Sequence, residues 1–245
     1  MGILNAVDHR PYPLPSKRWI MRQVWNNVLF LHWPVPPERL RPFIPPALQI
    51  DMHEGTAWIG IVAFQMRGIY FRGLQSISVV SPFTEMNVRT YVTSNGKPGV
   101  FFMSLDVNDW ASLNIAKRWY RLPYSPAAIT ILESGETFYY KNNRKRSIAE
   151  FYGNCTPVPG GYFPEEGTLD HWLTERYCFY TTDNKYNIYC GEIHHLPWPL
   201  QKVETTIDRN TLFSQFHLGL SHLKPIGHYS KGVESLMWNC KKFRS

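Results

Sequence analysis

Between Phe83 and Val92 the sequence reads FTEMNVRTYV, and at the two-residue period of a strand Glu85, Asn87 and Arg89 share one face. A carboxyl group can carry a proton to or from a reacting atom, and a guanidinium can hold a carboxylate through two parallel hydrogen bonds. Four residues of strand span about 13 Å, so Glu85 and Arg89 reach towards a shared ligand more readily than towards each other. The plainer alternative is a cross-strand ion pair at the rim of a sheet. Glu85 is the candidate acid–base group, and Arg89 and Asn87 are candidate ligand contacts.

Further polar groups carry weaker signals. In EIHHLP, His194 and His195 are adjacent, so on a strand they point to opposite faces and do not bind one ion together. Glu192 shares a face with His194, and His32 or His228 could complete a site; the favoured reading is that one histidine of the pair caps a hydrogen-bond network while the other meets solvent, His194 is a candidate ligand contact, and no metal is expected. In LTERY, Glu175 and Arg176 read as an internal ion pair at a helix-to-strand junction, with a ligand clamp through Arg176 as the alternative. Tyr124 and Tyr229 offer hydroxyl donors, and Trp33, Trp58, Trp172 and Trp198 read as core and cavity lining. There is no GxSxG elbow, phosphate loop or dinucleotide fingerprint, so no cofactor is expected.

These groups must be placed by a chain of 245 residues, long enough to bury roughly three quarters of its unfolded surface without a staple. A single domain over 1–245, with residues 1–15 as an N-terminal arm, is expected. The formal charge of +7 raises nucleic acid as a partner, but the basic residues are scattered. The densest run, Lys141 to Arg146, surrounds an Asn142-Asn143 turn signal and reads as a solvated hairpin end. Four widely spaced cysteines, no signal-peptide pattern and no apolar stretch of about 18 residues point to a cytoplasmic protein without membrane or nucleic-acid partners. Nothing here excludes self-association.

The elements follow from periodicity. LQIDM and TAWIGIVAFQM alternate around His53-Glu54-Gly55 and predict a hairpin. MNVRTYV and VFFMSLDV flank Asn95-Gly96, a second hairpin. A helix is expected from Asn108 to Pro123, with Ile115, Trp119 and Leu122 inward. A meander follows, then a short helix capped by Thr168 and a long last strand. Prolines and glycines (19 and 16) break the chain into many turns, and about ten strands make a mostly antiparallel sheet that closes to hide its edges.

The segments NVLFLHWPVPPERLRPFIPPALQIDMHEGTAWIGIVAFQMRG, EMNVRTYV with KPGVFFMSLD, LTERY, EIHHLPWPLQ and HYS together resemble the YqjF-like bacterial family of unknown function, in order and over nearly the whole chain. That family is similar to acetoacetate decarboxylase. The resemblance implies a mostly β fold in which a large twisted antiparallel sheet curls into a cone-shaped barrel around a ligand cavity. It also implies that Glu85 matches an active-site glutamate. The decarboxylase forms its Schiff base on a lysine that follows the proline at the end of a helix, and here Pro123 is followed by Tyr124 and Ser125. Neither has a primary amine, and Lys117 is two helical turns upstream, about 9–10 Å away. The expectation is a small-molecule-binding protein for a carboxylate or an aromatic compound, not a Schiff-base decarboxylase. The alternatives are an enzyme using Glu85 and a histidine as acid and base on a small keto acid or aromatic substrate, and a basic interaction protein.

Overall fold

The computed structural model describes residues 2–74, 81–109, 122–183, 187–220 and 222–242. The expected helix from Asn108 to Pro123, with Lys117, lies largely outside them. The fold is mostly β: β1 (Met21–Val35), β2 (Gln49–Ile50), β3 (Ala57–Phe71), β4 (Phe83–Ser94), β5 (Lys97–Val107), β6 (Tyr124–Ser134) and β7 (Thr137–Arg144), followed by β8 (Glu150–Pro157), β9 (Cys178–Thr182), β10 (Ile188–His195), β11 (Gln201–Asn210), β12 (Ile226–Met237) and β13 (Lys241–Lys242). Short helices cover Pro37–Leu40 and Leu169–Thr174; the Thr168 side chain accepts a hydrogen bond from the His171 N–H and caps the second. No helix among the described residues is long and apolar enough to cross a membrane.

The neighbour order in the sheet is β13-β10-β9-β5-β6-β7-β8-β11-β12-β1-β3-β4-β2. Two further pairings, β4 with β5 and β10 with β12, lead the hydrogen-bonded neighbours back on themselves in two circuits. Both circuits share β12, β1, β3, β4 and β5. The shared strands are therefore buried on both faces, which explains their apolar content beyond simple alternation. On one face Leu29, Leu31, Trp33, Ile59, Ile61, Met86 and Val88 pack with Phe138, Tyr140 and Phe151. On the other, Val28, Phe30, Val62, Phe64 and Phe83 pack with Val100, Leu105, Phe179 and Trp198. The second core contains the cavity.

Three irregularities keep that second face aimed inward. Register shifts fall between Asn26 and Leu29 on β1, between the partners of Arg22 and Val24 on β3, and at Met103 on β5. An extra residue inverts the alternation from that point onward. Thus Gln23 and Trp25, then Val28 and Phe30, all line one hollow; so do Phe64 and Met66 with Ile69, and Phe102 with Leu105. Asn27 (φ 51°) and Gly68 (φ 55°) supply the left-handed backbone at two of these points. On β12, Gly232 (φ 132°) pairs with Asn26, and a Cβ there would lie 1.9 Å from the Trp25 carbonyl oxygen.

The Asn95-Gly96 hairpin forms as expected, with both residues at positive φ. The hairpin expected around His53-Glu54-Gly55 does not. Only the bridge His53–Thr56 closes there, and β2 pairs with β4 through Gln49–Thr93 and Ile50–Val92. The Asn142-Asn143 turn is also corrected. Both residues lie within β7, opposite Ile129 and Ala128, and the chain turns later, at Arg146 (φ 58°). Arg144 is no solvated cation: its Nε donates to Asp106 Oδ1 at 2.7 Å, and Asn142 Nδ2 donates to Asp106 Oδ2 at 2.6 Å.

The arm is docked by Arg10, whose Nη1 donates to the Ile193 carbonyl at 2.7 Å and lies 3.2 Å from His194 Nδ1. His194 Nε2 meets the Ile3 carbonyl at 2.8 Å, so the ring serves the arm with both nitrogens. Only the neutral Nε2–H tautomer does both, and burial holds this imidazole down at about 4.

Gly232→Ala drives a methyl group into the backbone of β1 at the point where both strands kink. It is expected to cost roughly 3–5 kcal/mol in urea denaturation. Gly135→Ala, with positive φ but open space around it, is expected to cost only about 1–2 kcal/mol.

Candidate functional site

The second core encloses a hollow of about 100 Å³. Its walls are mainly apolar, with Trp25, Phe30, Phe64, Phe102, Phe179 and Trp198 prominent. The polar lining groups are Gln23, Glu85, Asn87, Arg89, Tyr124, Thr174, Arg176 and His195. Few polar groups on an apolar wall is the usual constitution of a small-molecule site.

The row foreseen on β4 is present, and its geometry is specific. Asn87 Nδ2 donates to Glu85 Oε1 at 3.0 Å, while Arg89 Nε donates to Asn87 Oδ1 at 2.8 Å. Acid and base are thereby joined through an amide instead of meeting as an ion pair. Tyr124 Oη lies 3.4 Å from Glu85 Oε2 at the start of β6, in the position that follows Pro123. Glu85 is only 3% exposed, and burial pushes its carboxyl up to about 7. The Asn87 hydrogen bond, the Arg89 charge and the Tyr124 hydroxyl pull it back, and Asp106 raises it further. Burial also lowers Arg89.

Arg89 stays partly accessible, with its guanidinium 5.6 Å from the Phe102 ring centroid. Among the described residues no carboxylate lies within ion-pairing distance of it. Its cross-strand neighbour is Gly60, which in turn faces His32. A Cβ at Gly60 would lie 2.7 Å from His32 Cδ2, so the glycine makes room for that ring.

Arg176 also lines the hollow, but not as half of the expected Glu175–Arg176 pair. Its Nη1 donates to Asp51 Oδ2 at 2.5 Å and its Nε to the Trp172 carbonyl at 2.7 Å. The guanidinium stacks 4.2 Å from the Trp172 ring and 4.8 Å from Tyr91. Glu175 instead accepts from the Tyr177 hydroxyl and from the Trp198 N–H.

Of the seven residues singled out beforehand, Glu85, Asn87, Arg89, Tyr124 and Arg176 converge on the hollow. Two do not. His194 faces the arm and His195 takes the inward position against Trp25, Trp198 and Tyr177, so both are buried and neither meets solvent as expected. Tyr229 belongs to the opposite core, stacked on Phe138, with its hydroxyl on Asn27 Oδ1 at 2.8 Å. Gln23, Thr174 and His195 were missed as lining groups. Strand alternation assigns His194 and His195 to opposite faces but does not say which face is inside.

Among the described residues no cluster of His, Cys, Asp and Glu has the arrangement of a metal site. Glu192 binds Lys97 at 2.6 Å and Arg10 at 3.7 Å, and His228 Nε2 lies 3.1 Å from Asp170. His32 contacts the Tyr91 hydroxyl at 2.7 Å. These candidates serve separate networks. No lysine occurs among the described residues that line the hollow.

A family model, DUF2071, described as an uncharacterized conserved protein, matches residues 22–234. The uncharacterized protein YqjF of Bacillus subtilis (strain 168) is 38% identical over 231 residues, covering 94% of this chain and 95% of the relative. Among solved structures, the enduracididine biosynthesis enzyme MppR complexed with pyruvate is similar at a TM-score of 0.67, with 11% identity over 93% of this chain and 91% of that one. Acetoacetate decarboxylase from Legionella pneumophila is similar at 0.63, with 12% identity over 99% and 95%. At these identities the likeness is one of fold.

A buried carboxyl raised to about 7 has a definite stability signature. Its folded value lies above its ordinary 4.5, so the stability it contributes is complete below pH 4.5 and is lost as pH rises through 7. Glu85→Gln is expected to gain on the native protein by about 3 kcal/mol between pH 4.5 and 8 and then level off. Denaturant melts across that range measure it.

Proposed function

The chain belongs to the DUF2071 family, and from that premise we propose that it is a non-covalent binder of a small carboxylate with an apolar body. The observation that carries this reading is Arg89, a cation facing an apolar hollow whose one side-chain hydrogen bond among the described residues goes to an amide. A guanidinium largely withdrawn from water with no carboxylate beside it among the described residues is costly, and an anionic ligand is the natural partner. In this reading the carboxylate docks on Arg89 and the aromatic wall receives the hydrocarbon part. The two pairing circuits are read as a curled, cone-like barrel around the ligand.

Size narrows the class. A dry hollow of about 150 Å³ holds benzene, so about 100 Å³ suits a body of roughly four heavy atoms. The pyruvate carried by the structural neighbour MppR makes a small oxo acid a reasonable first probe. The phenol of Tyr124 occupies the place where the decarboxylase resemblance calls for an amine, which supports binding without a Schiff base. A cytoplasmic setting, in which the four thiols stay reduced, fits the absence of any disulfide among the described residues.

A second reading is favoured by one observation: a carboxyl near 7 suits proton transfer at neutral pH. There Glu85 would act as acid or base on the bound molecule, with His195 the histidine of the hollow.

Thermal-shift and calorimetric titrations with pyruvate, isobutyrate and propionate, each against its neutral amide, test the proposal. The carboxylates are expected to bind and the amides to fail. Arg89→Gln is expected to weaken carboxylate binding by about 10–100-fold. Equal binding of amides, or full retention of affinity in the variant, contradicts it.

A further inference from the structure

We propose that the cavity takes up one proton with each anion it binds, and that Glu85 carries it. The proposal rests on the anion-binding reading above and goes beyond it by fixing the charge balance of the complex. It starts from how Glu85 is surrounded. On its own strand stand Asn87, which donates to it, and Arg89, joined to it only through that amide. Its partners on β3 and β5 are Phe64 and Val107, both apolar. From β6 comes the Tyr124 hydroxyl. Asp106, next to Val107, is occupied by Arg144 and Asn142. Elsewhere on the wall, Arg176 is paired with Asp51, and His195 contacts the backbone carbonyls of Leu196 and Arg176.

Arg89 is therefore the one cation of the described lining that favours ionised Glu85 without already being matched by a carboxylate. A ligand carboxylate docked on Arg89 consumes that compensation. Ionised Glu85 and the ligand would then be two negative charges sharing one guanidinium in a water-poor hollow. Two carboxylates in such a site retain a proton between them. The ligand is tied to Arg89 and has an ordinary acid strength, whereas Glu85 is enclosed by Phe64, Val107 and the Asn87 amide. The proton accordingly resides on Glu85, and the neutral acid gains a donor that the carboxylate lacked. That O–H can point to Tyr124 or to an oxygen of the ligand. The process balances without further reagents: one anion and one proton enter, and no covalent bond is made or broken.

The consequence is a measurable linkage. Above about pH 8 the empty site has lost its proton, so carboxylate affinity is expected to fall about tenfold per pH unit. Isothermal titration of isobutyrate and of pyruvate at pH 6.5 to 9, in phosphate and in Tris, reads the proton count from the difference in buffer heats. About one proton per anion is expected at pH 8.5, decreasing towards pH 6.5. Glu85→Gln is expected to lose both the slope and the uptake. Carboxyl carbon NMR of the glutamate-labelled native protein gives a readout without a variant: adding isobutyrate at pH 8 moves one buried carboxyl signal to the protonated position. Binding with no proton uptake and no such signal overturns the linkage and leaves the anion site standing. No binding of either probe at any pH brings down the anion site itself.

Discussion

The side-chain amide of Asn87 holds the site together. Its nitrogen serves the Glu85 carboxyl and its oxygen serves the Arg89 guanidinium, so one group serves two polar neighbours of opposite character, one buried and one partly accessible. An aspartate there could not donate to Glu85, and a leucine would leave Glu85 only the 3.4 Å contact with Tyr124 and strip Arg89 of its hydrogen bond, at a cost of about 1–3 kcal/mol each. The amide also sets the electrostatics. Glu85 and Arg89 influence each other without forming an ion pair, so the carboxyl rests at about 7 and the guanidinium keeps its outer nitrogens for another partner.

Such a row survives in the interior because β4 is buried on both faces. Met86 and Val88 anchor the strand in one core while Glu85, Asn87 and Arg89 face the hollow in the other. The apolar side holds the strand, and the polar side is free to carry function. The extra residues at Asn27, Gly68 and Met103 extend this division along strands of up to fifteen residues, which twist too much to keep one face aimed at one point. Gly232 and Gly60 complete the packing by leaving space where a side chain would collide.

Much of this was legible in the sequence because it is local. Alternation in EMNVRTYV placed the polar row, Asn95-Gly96 marked its hairpin, and Thr168 marked a helix start. What depended on distant partners was not legible. Arg176 pairs with Asp51, 125 residues away, and not with its neighbour Glu175. The two residues of β2 join β4 because that edge was open, although the intervening turn favoured β3. Asn142 resembles a turn residue by type, but it is drawn into the sheet by the buried Asp106 carboxylate. The inversions of alternation cannot be read from period two, since each one breaks that period.

The chemistry follows from the same placement. At the start of β6, where the decarboxylase resemblance calls for an amine, the chain presents the Tyr124 phenol, and the cations of the described wall are guanidiniums. A guanidinium attracts a carboxylate but does not condense with a ketone, and a phenol forms no imine. In the proposed reading the hollow holds an oxo acid without a covalent link. Borohydride reduction in the presence of pyruvate or acetoacetate, read by intact mass, tests this most directly. An unmodified protein is the predicted result, and a reduced adduct on any lysine contradicts it.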